Sequence, residues 1–222
     1  MPKTHVYFMP GLAASSKIFE NIKLPADLFE MHFLEWLLPL KKESISDYCD
    51  RLIAEIKHEN PVLVGVSFGG ILVQEIAKKI PVQKVIVISS VLSSREFPKR
   101  LKWAKSYQLY HLFPATLFSN MNVLKYLMRG KHLRKRWELY NTFMSVNQKE
   151  YLTWAVRSVV CWKESGGLDV PVVRIHGDRD DVFPIKNIDT ADSLIVENGT
   201  HAVIVYKYKW FNRHLPELIL NK

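Results

Sequence analysis

Cysteine is nearly absent from this chain of 222 residues, which has only Cys49 and Cys161. Two isolated thiols cannot build a disulfide framework. Neither has the clustered Cys and His neighbours of a structural zinc site, so no metal is expected. Both fall in stretches that read as amphipathic helix and are expected to be small buried hydrophobes. Long apolar runs are missing too. Nothing approaches the ~18–20 residues that span a bilayer, so no transmembrane segment is expected. Met1-Pro2-Lys3-Thr4-His5 leads straight into Val6-Tyr7-Phe8-Met9 without the apolar core of a signal peptide. The expectation is therefore a cytoplasmic, reducing compartment. Repeats and low-complexity tracts are also lacking, which excludes solenoids and disordered tails.

What is present is ordinary globular material, 48% apolar and 24% charged, of a length suited to one α/β domain. The net charge of +9 is unevenly placed. Val91 to Ser165 holds 14 Lys and Arg against 4 Asp and Glu, a net +10, whereas the remainder has 17 basic and 18 acidic residues. The excess belongs to one segment rather than to the whole domain.

The first half alternates short apolar strands with helices. Val6–Met9 ends at Pro10-Gly11, and Ser15–Ile22 reads as a helix or a structured loop. Met31–Leu38 is a strand candidate, and Ser44–Ile56 an amphipathic helix. Pro61–Gly65 is a wholly apolar strand, Gly70–Ile80 a mostly apolar helix, and Lys84–Ile88 another strand. Strands this apolar argue for a parallel sheet covered on both faces. From about 92 to 165 no strand is evident. Three or four helices rich in Lys, Arg and aromatics are expected there, as a helical cap inserted into the domain. Strands resume at Val170–Ile175 and Ser193–Val196, and a last helix runs from about Ala202 to Leu218. The expected organisation is a core of 1–91 and 166–222 with a cap of 92–165.

Gly65-Val66-Ser67-Phe68-Gly69 fits G-x-S-x-G. Alone the pattern is weak, but here it follows an apolar strand and precedes a helix, the setting of a nucleophile elbow. The turn is so tight that residues two before and two after the serine must be small, and Gly65 and Gly69 supply this. The helix N-terminus then brings free N–H groups beside the hydroxyl. A dinucleotide fingerprint needs G-x-G-x-x-G and a P-loop needs G-K-[ST]; neither is present.

With these residues the chain resembles the α/β-hydrolase fold family, whose triad runs Ser, then acid, then His. His176-Gly177-Asp178-Arg179-Asp180-Asp181-Val182-Phe183-Pro184 resembles the family's acid turn. On that resemblance Asp180 is the triad acid, with Asp178 and Asp181 as alternatives and Asp181 expected to cap the next short turn. Asn198-Gly199-Thr200-His201 resembles the family's histidine loop and makes His201 the base; His176 is the rival. The oxyanion donors implied are the backbone N–H groups of Phe68 and Leu12. Pro10-Gly11-Leu12 departs from the family's frequent His-Gly. The core lacks the family's two leading antiparallel strands, so the fold class expected is an α/β-hydrolase fold with about six parallel strands and helices on both faces.

The resemblance implies a serine hydrolase that cleaves an ester or thioester through an acyl-enzyme on Ser67, with no metal or organic cofactor. A perhydrolase or acyltransferase using the same triad, or a non-catalytic binding protein on this fold, are the alternatives. The substrate expected is a small ester or thioester. The basic cap would suit an anionic or acyl-carrier-linked substrate, or peripheral contact with an anionic membrane. No nucleic acid is expected, because no recognition module accompanies the charge.

Overall fold

A computed structural model describes residues 2–112, 146–164 and 167–221. Its strands are β1 (Thr4–Met9), β2 (Phe29–Phe33), β3 (Val62–Val66), β4 (Lys84–Ile88), β5 (Val172–Gly177) and β6 (Ser193–Val196). All five neighbouring pairs are parallel, and the order across the sheet is β2-β1-β3-β4-β5-β6. The chain first steps from β1 to β2, then returns past β1 and proceeds the other way. The reversal lies between β1 and β3, where a crevice opens at the C-terminal ends of the strands.

The helices are α1 (Ile45–Ile53), α2 (Phe68–Ala77), α3 (Lys99–Ser106), α4 (Lys149–Cys161), α5 (Val203–Tyr206) and α6 (Tyr208–Leu220). Every residue of β3 and β4 is buried, because each face of the sheet has its own core. Leu63, Val85 and Val87 pack with Ile71 and Leu72 of α2 on one side. Val64, Ile86 and Ile88 pack with Phe211 and Leu215 of α6 on the other. This double burial is why alternation is missing from these strands.

Two elements are shorter than their apolar patterns suggest. β2 stops at Phe33 rather than Leu38, because the Tyr48 hydroxyl accepts from the N–H of Leu37 at 2.8 Å and donates to its carbonyl at 2.9 Å. Those backbone groups are thereby taken from any strand ladder. α1 begins after Ser44, whose hydroxyl accepts from the N–H of Asp47, while the Asp47 carboxylate accepts from the N–H of Ser44. This reciprocal cap fixes the helix start. The last helix is interrupted at Lys207 into α5 and α6.

Between β4 and β5 the described residues contain α3, α4 and single turns at Ser94–Glu96 and Leu109–Leu112, and no strand. The other helices expected in the cap lie outside the described residues. The ends of the insertion are pinned together. The Ser93 hydroxyl and the N–H of Ser94 both donate to the Glu164 carboxylate at 2.7 Å. Cys49 is buried and Cys161 half-buried, and both are free thiols. Among the described residues no helix is long and apolar enough to cross a membrane.

Lys84 opens β4 with its side chain buried, 4% exposed. Its ammonium donates to the carbonyls of Leu218 (2.7 Å), Ile219 (3.2 Å) and Asn221, which end α6. A cation there satisfies orphan carbonyls and opposes the negative end of the helix dipole. Replacing Lys84 with Met should cost about 2 kcal/mol, the loss of hydrogen bonds to a charged donor. Calorimetry should show this as a Tm lower by roughly 4–8 °C in a domain of this size.

Candidate active site

β3 ends in a turn whose centre, Ser67, has φ 53° and ψ −119°, a backbone conformation that L-residues rarely adopt. Its two glycines leave no room for a side chain. A Cβ on Gly65 would lie 2.4 Å from the Gly69 carbonyl oxygen, and one on Gly69 would lie 2.4 Å from both the Met9 and the Pro10 carbonyl oxygens. Three hydrogen bonds hold the turn. The N–H of Ser67 donates to Ile88 (2.9 Å), while its carbonyl accepts from the Ser90 hydroxyl (2.6 Å) and the N–H of Gly70 (2.9 Å).

Three residues far apart in sequence meet above this turn. His201 Nε2 lies 2.9 Å from Ser67 Oγ, and His201 Nδ1 lies 2.8 Å from Asp180 Oδ2. Asp180 Oδ1 accepts from the N–H groups of Val182 (2.8 Å) and Phe183 (2.9 Å). Burial alone would raise the Asp180 carboxyl. The hydrogen bond from His201, its charge and the N–H of Phe183 outweigh burial and hold the carboxyl below its usual range.

The alternatives take other places. Asp178 accepts from the N–H of Gly199 at 3.1 Å and ties the acid loop to the histidine loop. Asp181 is exposed, while the N–H groups of Val182 and Phe183 donate to Asp180. The acid held against His201 is thus also the one that these N–H groups reach. His176 is fully buried and lies 2.8 Å from the Phe183 carbonyl through Nε2. Burial is the main reason its pKa lies below the ordinary value. It supports the acid loop from beneath while His201 faces Ser67.

Gly11 sits against the turn; a Cβ there would lie 3.3 Å from Ser67 Cβ. Leu12 follows, and Leu12 and Phe68 both line the cavity at Ser67. Phe68 is the first residue of α2, so its N–H has no acceptor within the helix. Sequence reasoning left open how a loop carrying Pro10 is supported. The Trp36 indole N–H reaches the Gly11 (3.2 Å) and Ala14 (2.8 Å) carbonyls. Ala13, at φ 63°, donates its N–H to the Tyr151 hydroxyl of α4 at 3.1 Å. Trp36 stacks on Phe68 with ring centroids 5.4 Å apart and packs against Tyr151 at 5.1 Å. Neither Trp36 nor Tyr151 belongs to a motif, so only the fold could reveal them.

A cavity of about 870 Å³ opens beside Ser67 and His201. Its walls include Ile18 and Val66 of the core, Leu101 of α3, and Val156, Val159 and Val160 of α4. No Lys or Arg is among the described residues that line it. Arg100 instead donates to the carbonyls of Asp181 (2.6 Å) and Val182 (2.7 Å), joining α3 to the acid loop. Lys125, Arg129, Lys131 and Arg134–Arg136, which carry much of the cap's charge, lie outside the described residues.

Two measurements test this construction. Tyr151→Phe leaves the Ala13 N–H buried without its acceptor and should destabilise the protein by ~1–3 kcal/mol, read by urea unfolding. The low carboxyl of Asp180 contributes stability that is complete above its unfolded pKa of ~3.9 and lost as pH falls through the lower folded value. The stability of the wild type relative to Asp180→Asn should therefore be largest near neutral pH and shrink below about pH 4.

No family model and no curated protein matches this sequence. Solved structures do resemble the fold. A hydrolase from Pseudomonas aeruginosa PA01 superposes with a TM-score of 0.73 at 13% identity, covering 99% of this chain and 91% of the other. An esterase from Exiguobacterium antarcticum gives 0.66 at 16%, with coverage of 98% and 92%. A bromoperoxidase from Bacillus anthracis gives 0.63 at 16%, with 100% and 93%. With its all-parallel sheet, its insertion after β4 and these neighbours, the chain has the α/β-hydrolase fold.

Proposed function

We propose that this protein is a serine hydrolase that cleaves a carboxylic ester or thioester of an uncharged, apolar acyl group. The observation that carries the reading is the unbroken hydrogen-bonded chain from Ser67 through His201 to Asp180, at a strained turn. Ser67 Oγ attacks the acyl carbonyl as His201 Nε2 takes its proton. Asp180 keeps the imidazole in the tautomer that can accept it and stabilises the imidazolium that results. The oxyanion sits between the N–H groups of Leu12 and Phe68, each worth about 3 kcal/mol to the transition state. Collapse expels the alcohol or thiol, which takes the proton from His201. Water, deprotonated by His201, then attacks the acyl-Ser67 carbonyl and releases the acid. None of these steps calls on a cofactor.

The cavity supports the acyl preference: aliphatic walls gain by covering a hydrocarbon chain, and its volume is near the upper end for small-ligand pockets. Residues 92–165 act as the lid, since α3 and α4 supply part of those walls. A second reading, perhydrolysis with hydrogen peroxide replacing water, is favoured by the likeness to a protein named a bromoperoxidase.

A fluorophosphonate probe tests the nucleophile. Wild type should be labelled, and Ser67→Ala and His201→Ala should not. On p-nitrophenyl esters, Asp180→Asn should lose about 10³–10⁴ in kcat, as expected when the histidine tautomer is no longer fixed. Adding peroxide and assaying peracid separates the two readings. An unlabelled wild type that turns over no ester would overturn both.

A further inference from the structure

The sheet carries a second cluster of reactive side chains, away from Ser67 and towards the ends at which its strands begin. In the β1–β2 pair, His5 lies opposite Glu30 and Tyr7 opposite His32. Side chains two apart on a strand share a face, and so do registered neighbours. His5, Tyr7, Glu30 and His32 therefore project from one face of the sheet's edge. His58, in the loop before β3, comes down onto that face. Its ring lies 3.5 Å from that of His5 and 4.7 Å from that of His32, centroid to centroid.

We propose that His5, His32 and His58 form a site for a divalent transition-metal ion of the zinc class. Their ligand nitrogens all lie within 4.8 Å of one another, the one such group of three among the described residues. His5 Nδ1 and His32 Nε2 are 3.0 Å apart. Two nitrogens on a tetrahedral zinc at its usual bond length are ~3.3 Å apart, so this pair is already at chelating distance. The Glu30 carboxylate supplies a fourth ligand, with one oxygen 3.8 Å from His5 Nδ1 and the other 3.8 Å from His32 Nε2. The side chains of His5 and His32 are 26% and 22% exposed, so an ion can enter and the rings can turn. His58 must rotate out of its stack on His5 to bring Nε2 to the ion.

The surroundings offer that ring an outer-shell partner. The Tyr7 oxygen accepts from the N–H of Lys57 at 2.9 Å and lies 2.7 Å from His58 Nδ1. In the metal-bound tautomer the Nδ1–H donates to this oxygen, the outer-shell bond that ligating imidazoles commonly make. Three imidazoles and one carboxylate select a borderline ion such as Zn²⁺ over Mg²⁺ or Ca²⁺, which take mainly oxygen ligands. The ion would join β1, β2 and the loop before β3. Binding to the folded chain alone would then raise its stability by mass action.

The test uses the full chain without a histidine tag, stripped with EDTA and titrated with ZnCl₂ by calorimetry. Expected are one Zn²⁺ per chain, a Tm that rises with zinc, and no response to MgCl₂. His32→Ala and His58→Asn should each weaken zinc binding at least ~100-fold, since loss of outer-shell partners alone costs 10–100-fold. His58→Asn keeps a polar atom beside Tyr7 and guards against a folding defect. Tyr7→Phe should weaken binding ~10-fold by removing the outer-shell acceptor. Fluorophosphonate labelling of Ser67 should be the same in the His variants as in wild type, and calorimetry reads zinc whether or not Ser67 reacts. A wild type that takes up no zinc, variants that bind it equally well, or an equal response to MgCl₂ would overturn the proposal.

Discussion

Gly69 touches the carbonyls of Met9 and Pro10 more closely than any side chain would permit, and the rest of the site depends on that approach. It presses the start of α2 against the loop after β1, so Phe68 and Leu12 line the same cavity at Ser67. The left-handed φ of Ser67 is the local cost, of order 1–3 kcal/mol. Bonds to Ile88, Ser90 and Gly70 offset it. A larger residue at 65 or 69 would open the turn and part the serine from its two prospective N–H donors together. One steric condition therefore sets both the turn at Ser67 and its approach to the loop after β1.

α4 does more than line the cavity. Tyr151 of α4 reaches into the loop after β1, and Trp154 of the same helix packs on Tyr48 (4.2 Å between centroids) and Phe68 (5.8 Å). The indole N–H of Trp154 donates to the Glu43 carbonyl. α4 is therefore built into the core on one side while it lines the cavity on the other. Packing that stabilises α4 also holds the loop after β1.

Much of this was legible in the sequence, for a physical reason. A parallel sheet with helices on both faces requires strands that are apolar throughout, and β3 and β4 announced it. A tight elbow requires small residues at fixed spacing, so Ser67 carried its own context. The acid was harder, because Asp178, Asp180 and Asp181 differ only in direction, and direction depends on which one the N–H groups of Val182 and Phe183 can reach. Trp36 and Tyr151 were not legible at all. Their hydroxyl and indole groups act across tertiary contacts, and each would serve as well in any core.

The imidazole cluster carries the same lesson further. Zinc sites declare themselves in sequence when their ligands are local, as in paired Cys and His on one loop. His5, His32 and His58 are spread over two strands and a loop, at separations with no meaning along the chain. What unites them is the sheet itself: parallel register sets His5 beside Glu30 and Tyr7 beside His32, and the crossover into β3 drops His58 on top. A parallel sheet thus offers two ends with different chemistry. Where the strands finish, loops bearing single residues converge on a crevice. Where they begin, side chains already in register need only one loop residue, His58, to complete a cluster. The sparse cysteine content excludes thiolate sites of the usual kind but places no limit on a site made of imidazoles and a carboxylate. A metal bound there would act on the stability of the β1–β2 edge and leave the chemistry at Ser67 to the opposite end.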